Sequence, residues 1–497
     1  MNMDGQSQLT LSLSDLHNNS AVYGGSIFMI GSARLLLQHT RGFGNSATQG
    51  GGFIIVRQSA QALVQDSIFR QNSVRPSIGQ VSGGGGFLLA NDRAVIAITN
   101  ATIEGHVSQS GVLGGAMYLD NSASLRLSAC WLSHHHTTAS GGAIAMKDNT
   151  SLSAINCTLD NATAGEEGGG LHMETSCSGC AVALVGSRLL NTHAGIGGGM
   201  WVGAGVVTLD NTAFVNNQAD VHGGALLVSG EARVRMTRCR VQGCNALLSH
   251  GGGLLAGDKS QIHIAKSTFT NCTAKLAGGA IAAVEFAKLQ MQSCLFDSNS
   301  ATEGGGVAVA GYVQLFVDAS KIVRNQCSGN GGGLVCDDNT NVKLQSCMII
   351  GNVAEKAGGV AVDNAALVSM PLTQVTSNRA RTLGGGVGLH SSSFDWAEIR
   401  AAVHGNQAGE AAPDVLVVPT TMMIVYSSSV EGFVSRLNSD EGLLNVTLRL
   451  SGAQGLPSEG TSVAAALELS VLATATTGSD GLAHLSIKIR KPPGMCQ

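Results

Sequence analysis

Asn299-Ser300-Ala301-Thr302-Glu303-Gly304-Gly305-Gly306-Val307-Ala308-Val309 decides how this chain folds, because near copies of it recur from one end to the other. A Gly-Gly pair reaches backbone conformations closed to residues with a Cβ and lets one turn of chain approach the next. The apolar residues after it alternate as a strand with one buried face does. Gly-Gly-x steps end at Ser26, Gly52, Gly86, Ala116, Ala143, Gly170, Gly199, Ala225, Gly253, Ala280, Gly306, Gly333, Val360 and Gly386, separated by 26 to 34 residues and most often by 26 or 27.

A fixed period near 27 marks a solenoid, whose units are each too small to bury a core and must stack on their neighbours. Leucine-rich repeats share the length range but need Leu at several fixed positions and an Asn inside that frame, which these units lack. Helical repeats fail because segments such as Ala287-Lys288-Leu289-Gln290-Met291-Gln292-Ser293 alternate with period two and no helical stripe is long enough. Three short strands and three turns per coil predict a right-handed parallel β-helix of about 14 coils, the hand following the rule for parallel crossovers.

Two further columns support that register. An apolar residue stands three before an Asn at Phe69/Asn72, Phe214/Asn217, Phe296/Asn299, Ile322/Asn325, Ile349/Asn352, Val375/Asn378 and Val403/Asn406, and stacked Asn side chains can hydrogen-bond from coil to coil. Small residues repeat two positions earlier: Ser67, Thr102, Cys130, Cys157, Ser187, Thr212, Cys239, Ser267, Cys294, Ser320 and Cys347. The paired signatures Gly-Gly-Ala-Ile (Gly141 to Ile144, Gly278 to Ile281) and Phe-x-x-Asn resemble the repeats of the chlamydial polymorphic outer-membrane proteins and their relatives among green-algal surface proteins, over about residues 9 to 418. The resemblance implies a pectin-lyase-like β-helix that is secreted and non-catalytic and acts in adhesion. The chlamydial proteins end in an autotransporter barrel, and nothing after Pro413 reads as one.

The 497 residues are 44% hydrophobic but only 4% aromatic and 12% charged, and 67 glycines without a collagen period suit a turn-rich repeat protein rather than disorder. A net charge of −4 argues against a nucleic-acid protein. No apolar run reaches membrane-spanning length; the richest stretch, Val415 to Tyr426, is broken by Pro419. Leu9 to Ala21 aligns with Leu289 to Ala301, so the chain opens inside a coil with no charged-then-apolar segment before it. The expectation is a fragment of an extracellular or cell-surface glycoprotein whose signal peptide lies upstream.

The period stops after residue 418. Residues 419–497 read as a separate all-β module: Leu485, Ile487 and Ile489 share a face of one strand, and Asp480-Gly481 before it is a hairpin-type turn. Thr477 to Ala483 resembles the turn of bacterial immunoglobulin-like surface modules, in a segment short for a full sandwich of ~100 residues.

Cys130, Cys157, Cys239, Cys294 and Cys347 read as small core residues, because other coils place Ser or Thr there. Cys244 and Cys272 replace Asn in consecutive coils and form one candidate disulfide; Cys177 and Cys180, in an inserted loop, form another. Sequons stand at Asn18, Asn100, Asn149, Asn156, Asn161, Asn271 and Asn445.

Polysaccharide lyases, hydrolases and epimerases share this fold, and such chemistry needs clustered carboxylates, with or without calcium, on one face. Here Asp92, Asp120, Asp148, Glu174, Asp258, Glu285, Asp337, Asp338 and Asp363 instead follow the first strand of their coils, where turn formers belong; a calcium-decorated ridge is the alternative. His222 and His250 precede the corner in consecutive coils, and His135 of His134-His135-His136 occupies the Asn column. No catalytic residue, metal ligand or cofactor site is assigned.

Charge concentrates in one place. In Arg233-Val234-Arg235-Met236-Thr237-Arg238-Cys239-Arg240 the alternation turns Val234 and Met236 inward and Arg233 and Arg235 outward; His263 and Lys266 align with Arg235 and Arg238 one coil on, and Lys288 with Arg233 one coil further. The expectation is a contact face for anionic glycan or wall and matrix proteins, with Arg forks engaging anions.

Overall fold

The computed structural model describes residues 1–76, 84–109, 111–364, 366–390, 403–410 and 414–418, together with four strands further on: Leu443–Arg449, Ser462–Leu467, Val471–Thr476 and His484–Arg490. Every regular element among them is a strand. Two compact units are formed, residues 1–275 with 286–288 and residues 276–285 with 289–497. Both are right-handed parallel β-solenoids built from the same coil, about 14 coils in all with a period near 27.

The coil carries four strand segments rather than the three expected. In one repeat of the first unit they are Leu226–Val228 after the corner, Arg233–Thr237, Arg240–Gln242 and Asn245–Ala246. Each pairs in parallel with its counterpart one coil away, giving a corner ladder, a long ladder, a short ladder and a two-residue edge ladder. The edge segment escapes the alternation pattern because it is too short to show one. In the second unit Val307–Val309, Gln314–Asp318, Lys321–Val323 and Gln326–Cys327 repeat the plan.

The interior is formed by alternate residues. Val234 and Met236 of the long strand are buried, as are the short-strand positions Phe69, Phe214, Phe269, Phe296, Ile322 and Ile349. The corner strand departs from the expected one-sided pattern, since all three of its residues are buried in coil after coil. Its middle residues point away from the lumen and are covered by the segment before the next corner: Ile55, Leu89, Tyr118 and Ala145 pack with Phe28 and Leu113, and Ala308, Val335 and Ala361 pack with Ala357 and Ala277. Each corner glycine has its own constraint. Gly304 has φ +56, and a Cβ on Gly305 would lie 2.6 to 2.7 Å from backbone atoms of Gln326 in the next coil.

The Asn column is a continuous internal ladder in the second unit. Asn325, Asn352, Asn378 and Asn406 each place Oδ1 where it accepts the backbone N–H and the Nδ2 of the preceding coil's Asn, at 2.9 to 3.0 Å. Asp414 closes it, its Oδ1 accepting from Asn406 N at 3.1 Å and Nδ2 at 2.9 Å. In the first unit the ladder starts at Asn19, Asn45 and Asn72 and passes to His106 and His135, whose Nδ1 atoms accept from Asn72 N at 3.0 Å and His106 N at 3.2 Å. The small-residue column is as expected except at one coil. There Ile68, Thr102 and Trp131 stand in register on the outer face, so the buried member is Ala101 rather than Thr102.

Beyond the last coil, Val415–Val418 pairs in parallel with Ser462–Leu467, which pairs antiparallel with Val471–Thr476. Leu443–Arg449 and His484–Arg490 form an antiparallel pair in which Leu485, Ile487 and Ile489 stand opposite Leu448, Val446 and Leu444. The Thr477 to Ala483 turn lies outside the described residues.

Candidate functional site

The basic face lies on the outer side of the long ladder in the first unit. Alternation exposes Arg233 and Arg235 because Val234 and Met236 fill the lumen. Arg233 stands in register with Gln261 and Arg235 with His263, and Lys288 N donates to Ser260 O as Gln261 N donates to Ala232 O, continuing the Arg233 column. Arg238 and Lys266 occupy equivalent left-handed turns after the strand, with φ 54 and 51.

These cations are not equivalent. Arg238 is held by Asp210 of the preceding coil, Nη2 lying 2.7 Å from Oδ1 and 2.6 Å from Oδ2, and so is already neutralised. Arg240 donates to Gln242 Oε1 beside it. No ion pair among the described residues involves Arg233, Arg235, Arg240, Lys266 or Lys288, and all five are exposed. Arg233 and Arg235 lie two residues apart on one strand and Lys288 two coils from Arg233, and the mutual repulsion of these cations is a cost that a bound anion relieves.

The cysteines divide. Cys177 and Cys180 are disulfide-bonded. Cys244 and Cys272, offered above as a second bridge, are two buried thiols; burial, and then the side-chain hydrogen bond between them, pushes the Cys244 thiol up. Stacked one coil apart, between the short and edge strands of their coils, the two side chains leave the backbone in the same direction, which opposes the near-perpendicular torsion a disulfide needs.

The acidic column is made of turns. Asp92, Asp148, Asp258, Glu285 and Asp338 have positive φ, and several carboxylates bond coil to coil: Asp92 Oδ1 accepts from Asn121 Nδ2 at 2.9 Å and Asp337 Oδ1 from Asn364 Nδ2 at 2.8 Å. A cavity of about 580 Å3 at this ridge is bordered by Gln58, Asp92, Arg93 and Asn121, the same turn-forming groups. His222 and His250 stack with centroids 5.7 Å apart, and burial lowers the pKa of both. Among the described residues no three His, Cys, Asp or Glu side chains come together as metal ligands. Six sequon asparagines, Asn18, Asn100, Asn149, Asn156, Asn161 and Asn271, are exposed, at φ 50 to 58, and Asn445 stands opposite Lys488 in the strand Leu443–Arg449.

Of the buried imidazoles, His135 stands in the Asn column as its place in the sequence indicated, whereas His106 and His172 gave no clear signal in sequence. His106 and His135 stack in the lumen 5.3 Å apart, continuing the Phe53, Phe69 and Phe87 ring column, and neither Nε2 has a hydrogen-bond partner. Burial lowers His106 to about 3 and His135 well below 6.5. His172 stacks on Trp201 at 4.8 Å with Glu167 3.4 Å from its Nδ1. Burial lowers His172 to about 4 and raises the Glu167 carboxyl, so a neutral imidazole faces the carboxylate and the contact is not an ion pair.

A family model described as a right-handed β-helix region matches residues 142–315. The chain is a β-helix repeat protein. No curated protein matches it. No helix among the described residues is long and apolar enough to cross a membrane.

Proposed function

We propose that this β-helix repeat protein is a non-enzymatic scaffold of an extracellular or cell-surface protein, acting in adhesion or matrix contact, and that it takes anionic glycan on the face formed by Arg233, Arg235, Arg240, His263, Lys266 and Lys288. The observation that carries the proposal is a set of five exposed cations without a carboxylate partner among the described residues, four on the long ladder and the turn after it and the fifth, Arg240, at the start of the adjoining short ladder. Sulfate and carboxylate groups match the planar forks of arginine, and a binding face of this kind needs no cofactor. Further support comes from the similarity of the Gly-Gly-Ala-Ile and Phe-x-x-Asn signatures to those of chlamydial and green-algal surface proteins, and from carboxylates engaged in turns rather than paired across a cleft.

Two measurements test this. The parent should be retained on a sulfated-glycan column to higher salt than a folded variant with Ala at Arg233, Arg235, Lys266 and Lys288; equal elution rejects the face. Incubation with acidic polysaccharides, with and without calcium, should yield neither unsaturated product nor new reducing ends. Turnover that persists through repurification would instead make the chain a polysaccharide lyase or hydrolase.

A further inference from the structure

The basic face borders a trough. On the outer side of the long ladder one column runs Arg126, Ser153, Ala183, Thr208, Arg235 and His263, in register from coil to coil. The column beside it runs Ser124, Ser151, Ala181, Val206 and Arg233. Between the arginines the floor is made of Ser151, Ser153, Ala181, Ala183 and Thr208, with Ser151 Oγ donating to Ser124 Oγ at 3.0 Å. These short side chains leave a depression of about 290 Å3 bordered by Arg126 at one end and Val206 and Thr208 at the other. In earlier coils the same columns carry the longer side chains of Leu36, Leu63 and Gln61.

Arg126 is exposed and forms no ion pair among the described residues. It stands four register steps from Arg235, roughly 19 Å at the spacing of paired strands. A single small anion cannot touch both guanidinium groups. The floor between them carries hydroxyls and methyl groups and no carboxylate, a lining that accepts a hydroxylated chain without repelling its anions.

We propose that Arg126 is the far anchor of the site whose near end is Arg233 and Arg235, and that its ligand is a linear sulfated or carboxylated polysaccharide lying across the strands, along the coil-stacking direction. This rests on the glycan-binding role of the basic face and adds its length, direction and second anchor. Hydrogen bonds from the floor hydroxyls orient the chain, while the two cationic ends set the shortest fragment that binds fully.

The experiment uses size-defined heparin-derived fragments, a disaccharide and an octasaccharide, titrated by calorimetry against the full chain, Arg126→Glu, and Arg233→Ala/Arg235→Ala. The parent should bind the octasaccharide at least tenfold more tightly than the disaccharide. Arg126→Glu should remove most of that difference and leave disaccharide binding unchanged, while Arg233→Ala/Arg235→Ala weakens both. If Arg126→Glu binds the octasaccharide as the parent does, but Arg233→Ala/Arg235→Ala does not, the trough is not used and the basic face alone stands. If neither variant changes binding, both proposals fall. Arg126 is on an outer face, so folding of its variant is expected, and an unchanged far-ultraviolet spectrum checks it.

Discussion

Replacing Asn352 with Ala should open the solenoid locally, by an amount that follows from its partners. Asn352 Nδ2 donates to Ile322 O and to Asn378 Oδ1, both at 2.9 Å, and its Oδ1 accepts from Asn325 N at 2.9 Å and Asn325 Nδ2 at 3.0 Å. After truncation Asn325 Nδ2 keeps Phe296 O, and Asn378 Oδ1 keeps the backbone N–H of residue 352. One group is stranded, the Asn325 N–H, since the Ile322 carbonyl keeps its place in the ladder between Lys321–Val323 and Met348–Ile350; it lies beside Ile322, Ile349 and Val375, which are fully buried. A buried orphan of this kind costs about 1–3 kcal/mol. Repeat arrays do not unfold as one unit, so the measurement is native-state hydrogen exchange rather than a melting curve. The amides of Gln326 and Val353 are informative because their acceptors, Asn299 O and Asn325 O, survive the change. They should exchange faster by roughly five- to a hundredfold, at about 1.4 kcal/mol per tenfold. Lys343→Ala, on the outer face of the same coil, is the control and should shift stability by no more than about 0.5 kcal/mol. If the two variants exchange alike at Gln326 and Val353, the internal ladder contributes nothing measurable.

Acid should destabilise the first unit through its buried histidines. An unfolded histidine takes a proton near pH 6.5, whereas His106 resists down to about 3; stability is therefore full above 6.5 and falls by about 1.4 kcal/mol per pH unit below it for each such residue. His106→Asn with His135→Asn, restoring the residue the column uses elsewhere, should move the acid-unfolding midpoint to lower pH, and an unchanged midpoint would falsify the assignment. Gly305→Val should abolish cooperative folding of its coils, because the new side chain meets the Gln326 backbone, whereas Ala308→Val, beside Val335 in the covered outer stripe, should cost about 1–3 kcal/mol; similar urea midpoints would contradict the corner geometry. The buried thiols, with Cys239 and Cys347 pushed up to about 11 and Cys327 to about 12, should not react with a disulfide reagent until denaturant is added; rapid labelling of Cys244 or Cys272 in the native protein would show that the lumen opens.

What the lumen demands is written in every repeat, and what the outside does is not. The corner tolerates only residues without a Cβ clash, and the column after it must fill a fixed cross-section, so Gly304, Gly305, Phe296 and Asn299 reveal the register at a single pass. The Asn column was partly hidden where another side chain substitutes for the amide. His106 presents Nδ1 as the acceptor that Asn Oδ1 supplies elsewhere, a match of geometry rather than residue type. The misplaced Thr102 has the same origin: an Ala in the buried position gave no polar signal, and the neighbouring Thr supplied a false one. On the outer face no period constrains residue choice, so alternation predicts that Arg233 and Arg235 are exposed but says nothing of their partners. Arg238 shows the consequence. Its place in the basic run is a fact of sequence, yet its charge is held by Asp210, 28 residues earlier and one coil away. The trough has the opposite character, since it is an absence of side-chain bulk that emerges only when Ser153, Ala183 and Thr208 from successive coils stand in line between Arg126 and Arg235. A solenoid therefore shows its core in any one repeat, whereas its binding surface is a property of several repeats read across the strands.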